Sequence, residues 1–240
     1  MGLFDKKYCD ICGDKIGLIG NRKLDDGNMC KSCAGLLSPF YTGRRGSSVA
    51  TIKEHLAYRE ENRKALAKLN ITRTLGRSTK VMLDEDTRQF IVTSASRWQD
   101  ANPDILDYSS VTGCDIEIRE SRTEMKYKDK EGKDVSYVPA RYDIDYDFYV
   151  TIHVNSPWFS QIQVKINGMR IEERTSAEYR ECDKISKEIK EILTKVREDV
   201  REDVEAGVVI RGPVVCALCG ATTTPDRSGA CEYCGGPVKG

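Results

Sequence analysis

Eight of the chain's ten cysteines fall into four Cys-x-x-Cys pairs, two pairs near each end, and no other feature limits its folding so tightly. Cys9-Asp10-Ile11-Cys12 and Cys30-Lys31-Ser32-Cys33 are separated by 17 residues, and Cys216-Ala217-Leu218-Cys219 and Cys231-Glu232-Tyr233-Cys234 by 11. Two residues between cysteines form a turn that aims both sulfurs at one ion, and a glycine after the second relieves crowding where the chain folds back. Gly13, Gly220 and Gly235 occupy that position in three of the pairs, whereas Ala34-Gly35 follows the fourth. Two such knuckles complete a tetrahedron, so the spacing predicts two structural Zn²⁺ sites: Cys9, Cys12, Cys30 and Cys33 at one end, Cys216, Cys219, Cys231 and Cys234 at the other. A secreted disulfide framework fits less well without an apolar leader, and a thioredoxin-type redox pair needs a βαβ unit that neither end has room for. Iron in a rubredoxin-like site is the remaining chemical alternative.

Metal also answers an energetic need. Segments of about 35–45 residues bury too little surface to fold alone, and a structural zinc contributes on the order of 10 kcal/mol or more. With all four ligands supplied by the protein, each ion is closed to substrate water, so neither is a catalytic zinc.

Composition limits the partners. The 38 basic and 38 acidic residues cancel over 240 residues, but residues 1–80 hold 16 Lys/Arg against 8 Asp/Glu, residues 81–206 hold 19 against 28, and residues 207–240 hold 3 against 2. No apolar run approaches the roughly 20 residues needed to span a bilayer, which predicts a cytoplasmic protein. Met1-Gly2 resembles a myristoylation start, but Lys6 stands where that signal needs Ser or Thr.

Four segments follow from the composition: a zinc module at 1–42, a basic linker and helix at 43–74, a sheet domain with a long helix at 75–206, and a zinc ribbon at 207–240. Thr51-Ile52-Lys53-Glu54 reads as a capping box opening a helix to about Leu69, whose thin apolar stripe is broken by Arg59 and Arg63; the expectation is an exposed or lightly docked helix. Strands are predicted over 80–84 and 88–93, around Cys114-Asp115-Ile116, over 125–127 and 135–137, over 142–154 with strict alternation, over 162–166, and over 169–172 after an Asn167-Gly168 turn. Thr175-Ser176-Ala177-Glu178 is a second capping box, and Tyr179, Cys182, Ile185, Ile189, Leu193, Val196 and Val200 form the stripe of the helix behind it. The expected class is α+β: an antiparallel sheet or barrel with a C-terminal helix, flanked by two zinc modules.

About seven antiparallel strands and one C-terminal helix resemble the pleckstrin-homology-like architecture over residues 75–200. The opening through Tyr8-Cys9-Asp10-Ile11-Cys12-Gly13-Asp14-Lys15-Ile16-Gly17 resembles a small bacterial N-terminal zinc-binding family of unassigned role, and 216–236 resembles a rubredoxin-knuckle zinc ribbon. The pleckstrin-homology-like resemblance implies a lipid headgroup loop between the first two strands. Read as Asp84-Glu85-Asp86, that loop would repel phosphoinositides, leaving a protein-binding platform.

Other chemistry fails on inspection. Asp143, Asp145 and Asp147 match the start of an EF-hand loop, but Phe148 and Val154 replace its glycine and glutamate, so they read as a solvated strand face. His55 and His153 read as surface histidines without a role, Cys114 and Cys182 as buried thiols. No catalytic triad order, phosphate loop or dinucleotide fingerprint is present, which predicts a non-enzymatic adaptor that binds protein partners, with Val200 and Val204 at the end of the long helix available for contact. The rival is a nucleic-acid binder using Arg44, Arg45, Lys53, Arg59, Arg63, Lys64, Lys68, Arg73, Arg77 and Lys80, although Tyr58 is the only aromatic interleaved among them.

Overall fold

The computed structural model describes residues 7–17, 19–205, 214–215, 219–223, 231 and 233–234, with the side chains of 196–205, 214–215 and 222 outside the description. The chain divides into two units, 1–193 and 194–240. The N-terminal module contains two short hairpins, β1 (Lys7–Tyr8) with β2 (Lys15–Ile16) and β3 (Arg22–Lys23) with β4 (Asn28–Met29), followed by α1 (Lys31–Ala34) and a 3₁₀ turn, Gly43–Gly46. Cys9, Ile16, Leu24, Met29, Cys33 and Leu37 form its small core, and Ile52 of the next helix completes it.

That helix, α2 (Val49–Leu66), corrects two expectations. Its cap is Ser48, whose hydroxyl accepts the Thr51 N–H at 3.1 Å, three residues before the box read from the sequence. Nor is it lightly docked: Ile52, His55, Arg59, Asn62 and Leu66 are all buried, at spacings of three and four. The stripe has helical period but carries polar residues, so a search for apolar residues alone misses it. Leu66 continues onto the following sheet, packing with Met82 and Ile91.

The first sheet is antiparallel, ordered β5 (Arg73–Leu75), β6 (Lys80–Asp84), β7 (Gln89–Thr93) and β8 (Leu106–Asp107), with α3 (Trp98–Ala101) in the connection before β8. Val81, Leu83, Phe90 and Val92 are buried on it. Because β5 precedes the pair recognised in the sequence, the loop joining the first two strands is 76–79, not Asp84-Glu85-Asp86. Gly76 has φ +95° there, and a Cβ would lie 2.3 Å from the Thr79 carbonyl oxygen, so only glycine makes this turn. Asp84 is fully buried; its carboxylate accepts N–H bonds from Asn70 at 2.9 Å and Thr87 at 3.0 Å, and thus holds the loop instead of charging its surface.

A second antiparallel sheet is ordered β11-β10-β9, with β9 at Val111–Lys128, β10 at Asp134–Val154 and β11 at Gln161–Lys165. The alternation read over 142–154 holds from Tyr146 onward, where Tyr146, Phe148, Val150, Ile152 and Val154 are buried, whereas Tyr142 is exposed and Ile144 half-buried. The 125–127 and 135–137 segments are the outer ends of these same long strands, interrupted by a bulge between Ser136 and Arg141. The seven strands β5–β11 form two separate sheets and do not close into a barrel.

No strand forms at 169–172. Asn167 replaces it: this buried side chain accepts the Phe148 N–H at 2.9 Å and donates to the Tyr146 and Met169 carbonyls at 3.2 and 2.9 Å and to Asp147 at 3.0 Å. An amide side chain with two donors and an acceptor satisfies the strand edge where a further strand would have done so. Asp145 accepts the Ile171 N–H and Asp147 pairs with Lys165, so these carboxylates are partly committed to the fold.

Helix α4 (Ala177–Glu205) is capped by Ser176, accepting the Tyr179 N–H at 3.1 Å, one residue later than the predicted Thr175. Tyr179 meets Phe148 and Tyr146 edge-on at 4.8 and 5.4 Å, and Cys182, Ile189 and Leu193 are buried with Ser186, whose hydroxyl bonds the Cys182 carbonyl. Val200 and Val204 lie outside the described side chains. In the second unit, β12 (Val214–Val215) pairs with β13 (Thr222–Thr223). Gly207, Gly212 and Pro213, which precede Cys216 in the chain, lie outside the described residues. Among the described residues no helix is long and apolar enough to cross a membrane.

Candidate metal centres

Local backbone geometry builds the first site. Cys9 and Cys12 sit on the turn between β1 and β2, where Gly13 (φ +81°) lets its N–H return to the Cys9 carbonyl at 2.8 Å. Cys30 caps α1: its sulfur accepts the Cys33 N–H at 3.4 Å, which places Cys33 one turn on and facing the same point. The Cys30 N–H in turn reaches the Cys9 sulfur at 3.2 Å, joining the knuckles. Gly27 packs closely nearby: a Cβ would come within 2.6 Å of the Val49 side chain and 2.7 Å of the Asp10 carboxylate, and those side chains would have to shift.

The four sulfurs lie within 4.8 Å of one another, with Cys9–Cys33 at 3.9 Å and Cys12–Cys30 at 3.8 Å. A zinc with bonds of about 2.3 Å puts tetrahedral thiolates about 3.8 Å apart. The donor set therefore fits a closed tetrathiolate ion. Electrostatics agree with that chemistry. Burial raises the Cys9 thiol, but N–H groups of Cys12, Cys30 and Ile11 outweigh it and bring the pKa down to about 6, whereas burial and the adjacent thiols push Cys33 far up. One thiolate forms readily; four at such distances need a divalent cation among them.

At the other end Cys219, Cys231 and Cys234 converge, with Cys219–Cys231 at 3.6 Å. Gly220 repeats the positive φ of Gly13 at +73°. Against the effect of burial, N–H groups of Cys234 and Tyr233 lower Cys231 to about 6. Cys216, the fourth predicted ligand, lies outside the described residues.

The remaining candidates divide cleanly. Cys114 and Cys182 are buried thiols, Cys114 pushed up to about 11 and Cys182 also raised, both by burial. His153 is partly exposed and contacts Asp115 at 3.0 Å. His55 is not a surface residue: it is fully buried, stacked on Trp158 at 4.5 Å, and Nε2 accepts the Ser38 N–H at 3.3 Å. Desolvation lowers its pKa to about 4, with Asp104 opposing and Arg59 assisting.

Arg59, counted among the exposed cations in the sequence, is the centre of a buried network. Its Nη1 donates to Asp104 at 2.8 Å, Nε reaches the Leu36 carbonyl at 3.3 Å, and Nη2 bonds the Asn102 carbonyl. Asp104 also accepts the Ser38 hydroxyl at 2.7 Å. Asn62 donates to the Asn102 side chain and the Pro103 carbonyl at 2.8 and 2.7 Å and accepts the Ile105 N–H at 2.8 Å. The helix thus ties the zinc module's C-terminal loop to the first sheet through polar contacts. The signal available in the sequence was the spacing 52, 55, 59, 62, 66.

No curated protein and no solved structure matches the chain. Over residues 7–55, a span holding the first four cysteines and the first turns of α2 that pack on them, the chain is similar to the family described as a domain of unknown function, DUF4428.

Proposed function

We propose that the chain is a non-enzymatic scaffold, stapled by two structural zinc ions, that binds protein partners. The observation that carries this reading is the β9–β10 ribbon. Its outer half, beyond the last β11 pair at Tyr149, holds Ile118, Met125, Tyr127, Val138 and Tyr142, 39–99% exposed. Two-stranded ribbons are marginal alone in water, and exposed tyrosine, methionine and arginine are the side chains protein interfaces favour. Arg141 over Tyr137 at 4.7 Å and Tyr137 against Tyr127 at 5.1 Å already order part of that surface. Closed thiolate sites and buried, raised cysteines supply no reacting group, in keeping with a binding role.

The nucleic-acid rival draws less support. Of the ten cations in 43–80, Arg59, Lys64, Arg73 and Arg77 are paired with Asp104, Glu61, Glu85 with Glu188, and Glu181. The test is photocrosslinking from position 130, at the exposed tip of the ribbon, in the native host, followed by mass spectrometry. A partner captured by the unchanged ribbon should be lost with Tyr127→Ser/Val138→Asp while zinc content and melting stay the same. Retention of every partner by that variant would refute the ribbon as the binding surface.

A further inference from the structure

The 3₁₀ turn and the β3 strand enclose a cleft of about 600 Å³ lined by Asn21, Arg22, Lys23, Leu24, Asp25, Arg44 and Arg45. Four cations and one carboxylate line it, and none of the four makes an ion pair among the described residues, unlike Arg59, Arg73 and Arg77 further along the chain. The walls are fixed to each other. Asp25 N–H bonds the Ser47 carbonyl at 3.0 Å, and Arg44 Nη1 crosses to the Lys23 carbonyl at 3.1 Å. Arg22 Nη1 is similarly held by the Ile19 and Asn21 carbonyls, each at 3.3 Å. A guanidinium has five N–H donors, so one pinned nitrogen leaves the rest to a ligand in an orientation already set.

We infer that this cleft is a binding site for a compact polyphosphate, a chain of two or more adjoining phosphates either free or carried by a nucleotide. Three arguments select that chemistry. Like charges lining one cleft repel, and an anion with several adjoining charges offsets more than one of them at once. Arginine forks match phosphate oxygens in pairs. The volume lies in the range of small-molecule sites, and no aromatic ring lines it, so phosphates and not stacked bases would be recognised. The site is independent of the ribbon and of the adaptor reading.

Isothermal titration of the zinc-loaded full chain with sodium tripolyphosphate near physiological salt tests it, with zinc content checked afterwards. One-to-one saturable binding is expected, weakened at least about tenfold in Lys23→Glu/Arg45→Glu and unchanged in Arg63→Glu/Lys68→Glu, which alters net charge equally at exposed positions on α2 and just past its end. Should the first variant lose zinc or its cooperative melt, Lys23→Gln/Arg45→Gln replaces it, with the same expectation of a clear loss. A nucleoside triphosphate binding more tightly than tripolyphosphate would assign the nucleotide as source; equal affinity would assign the free chain. No binding, or equal loss in both charge-reversal variants, overturns the proposal. So does displacement of tripolyphosphate by a lower concentration of a labelled oligonucleotide or a polyglutamate peptide, because the preferred occupant would then be an extended strand or an acidic protein.

Discussion

Asp104→Ala should be among the most damaging single substitutions in the first unit. It leaves the Arg59 guanidinium, only 5% exposed, without its counter-ion, and removes the acceptor of the Ser38 hydroxyl. Both lost bonds are charge-assisted, at about 1.5–3 kcal/mol each. Breaking a buried pair from one side costs about 3–5 kcal/mol by comparison with other proteins, so the two routes agree. With a urea slope of about 2–3 kcal/mol/M, the unfolding midpoint of the zinc-saturated protein should fall by between about 1 and 2.5 M. Glu61→Gln, which breaks the exposed Lys64 pair, should leave the midpoint where it is. Arg59→Met/Asp104→Leu should be more stable than Asp104→Ala alone, since no buried charge then lacks a partner. A midpoint shift under about 0.3 M for Asp104→Ala, or a double variant worse than the single, would refute the claim that this network joins the helix to the sheet.

Elemental analysis should find two zinc ions per chain, and Cys12→Ser or Cys219→Ser should each remove one while the sheets keep a cooperative melt; one ion or none in fully reduced protein would contradict the metal sites. His55 is held neutral, its pKa depressed from 6.5 to about 4, so the unfolded chain binds the proton first and stability is lost as pH falls through that window, by roughly 3 kcal/mol in all. His55→Gln should flatten the midpoint-versus-pH curve between pH 6.5 and 4, and an unchanged slope would place the histidine outside the buried stack. The 76–79 loop should not hold the protein on phosphoinositide liposomes at physiological salt, because it offers Arg77 alone and Glu181 pairs with it; saturable sedimentation that persists in Lys23→Glu/Arg45→Glu would show otherwise.

The amino-acid sequence by itself determined the features that are local. Ligand spacing in Cys9-x-x-Cys12 and Cys30-x-x-Cys33 depends on a few backbone dihedrals, and the alternation through Tyr146, Phe148, Val150 and Ile152 reports one buried face of one strand. Capping boxes located both helices, though not their first residues: Ser48 and Ser176 act where Thr51 and Thr175 were expected, because in each case a nearby serine offers an equally good cap. What only the tertiary structure decided are the roles of polar residues. Asp84 and Asn167 look like turn residues, yet both are buried and close backbone groups that no strand reaches. Arg59 and His55 look solvated because the groups that make their burial possible, Asp104 and Trp158, are 45 and 103 positions away. A buried charge is tolerated only where a distant partner meets it, and that meeting is a property of the folded chain. The division of seven strands into two sheets has the same origin: each strand encodes its own faces, whereas which edges pair is settled by the packing of α2 and α4 against them.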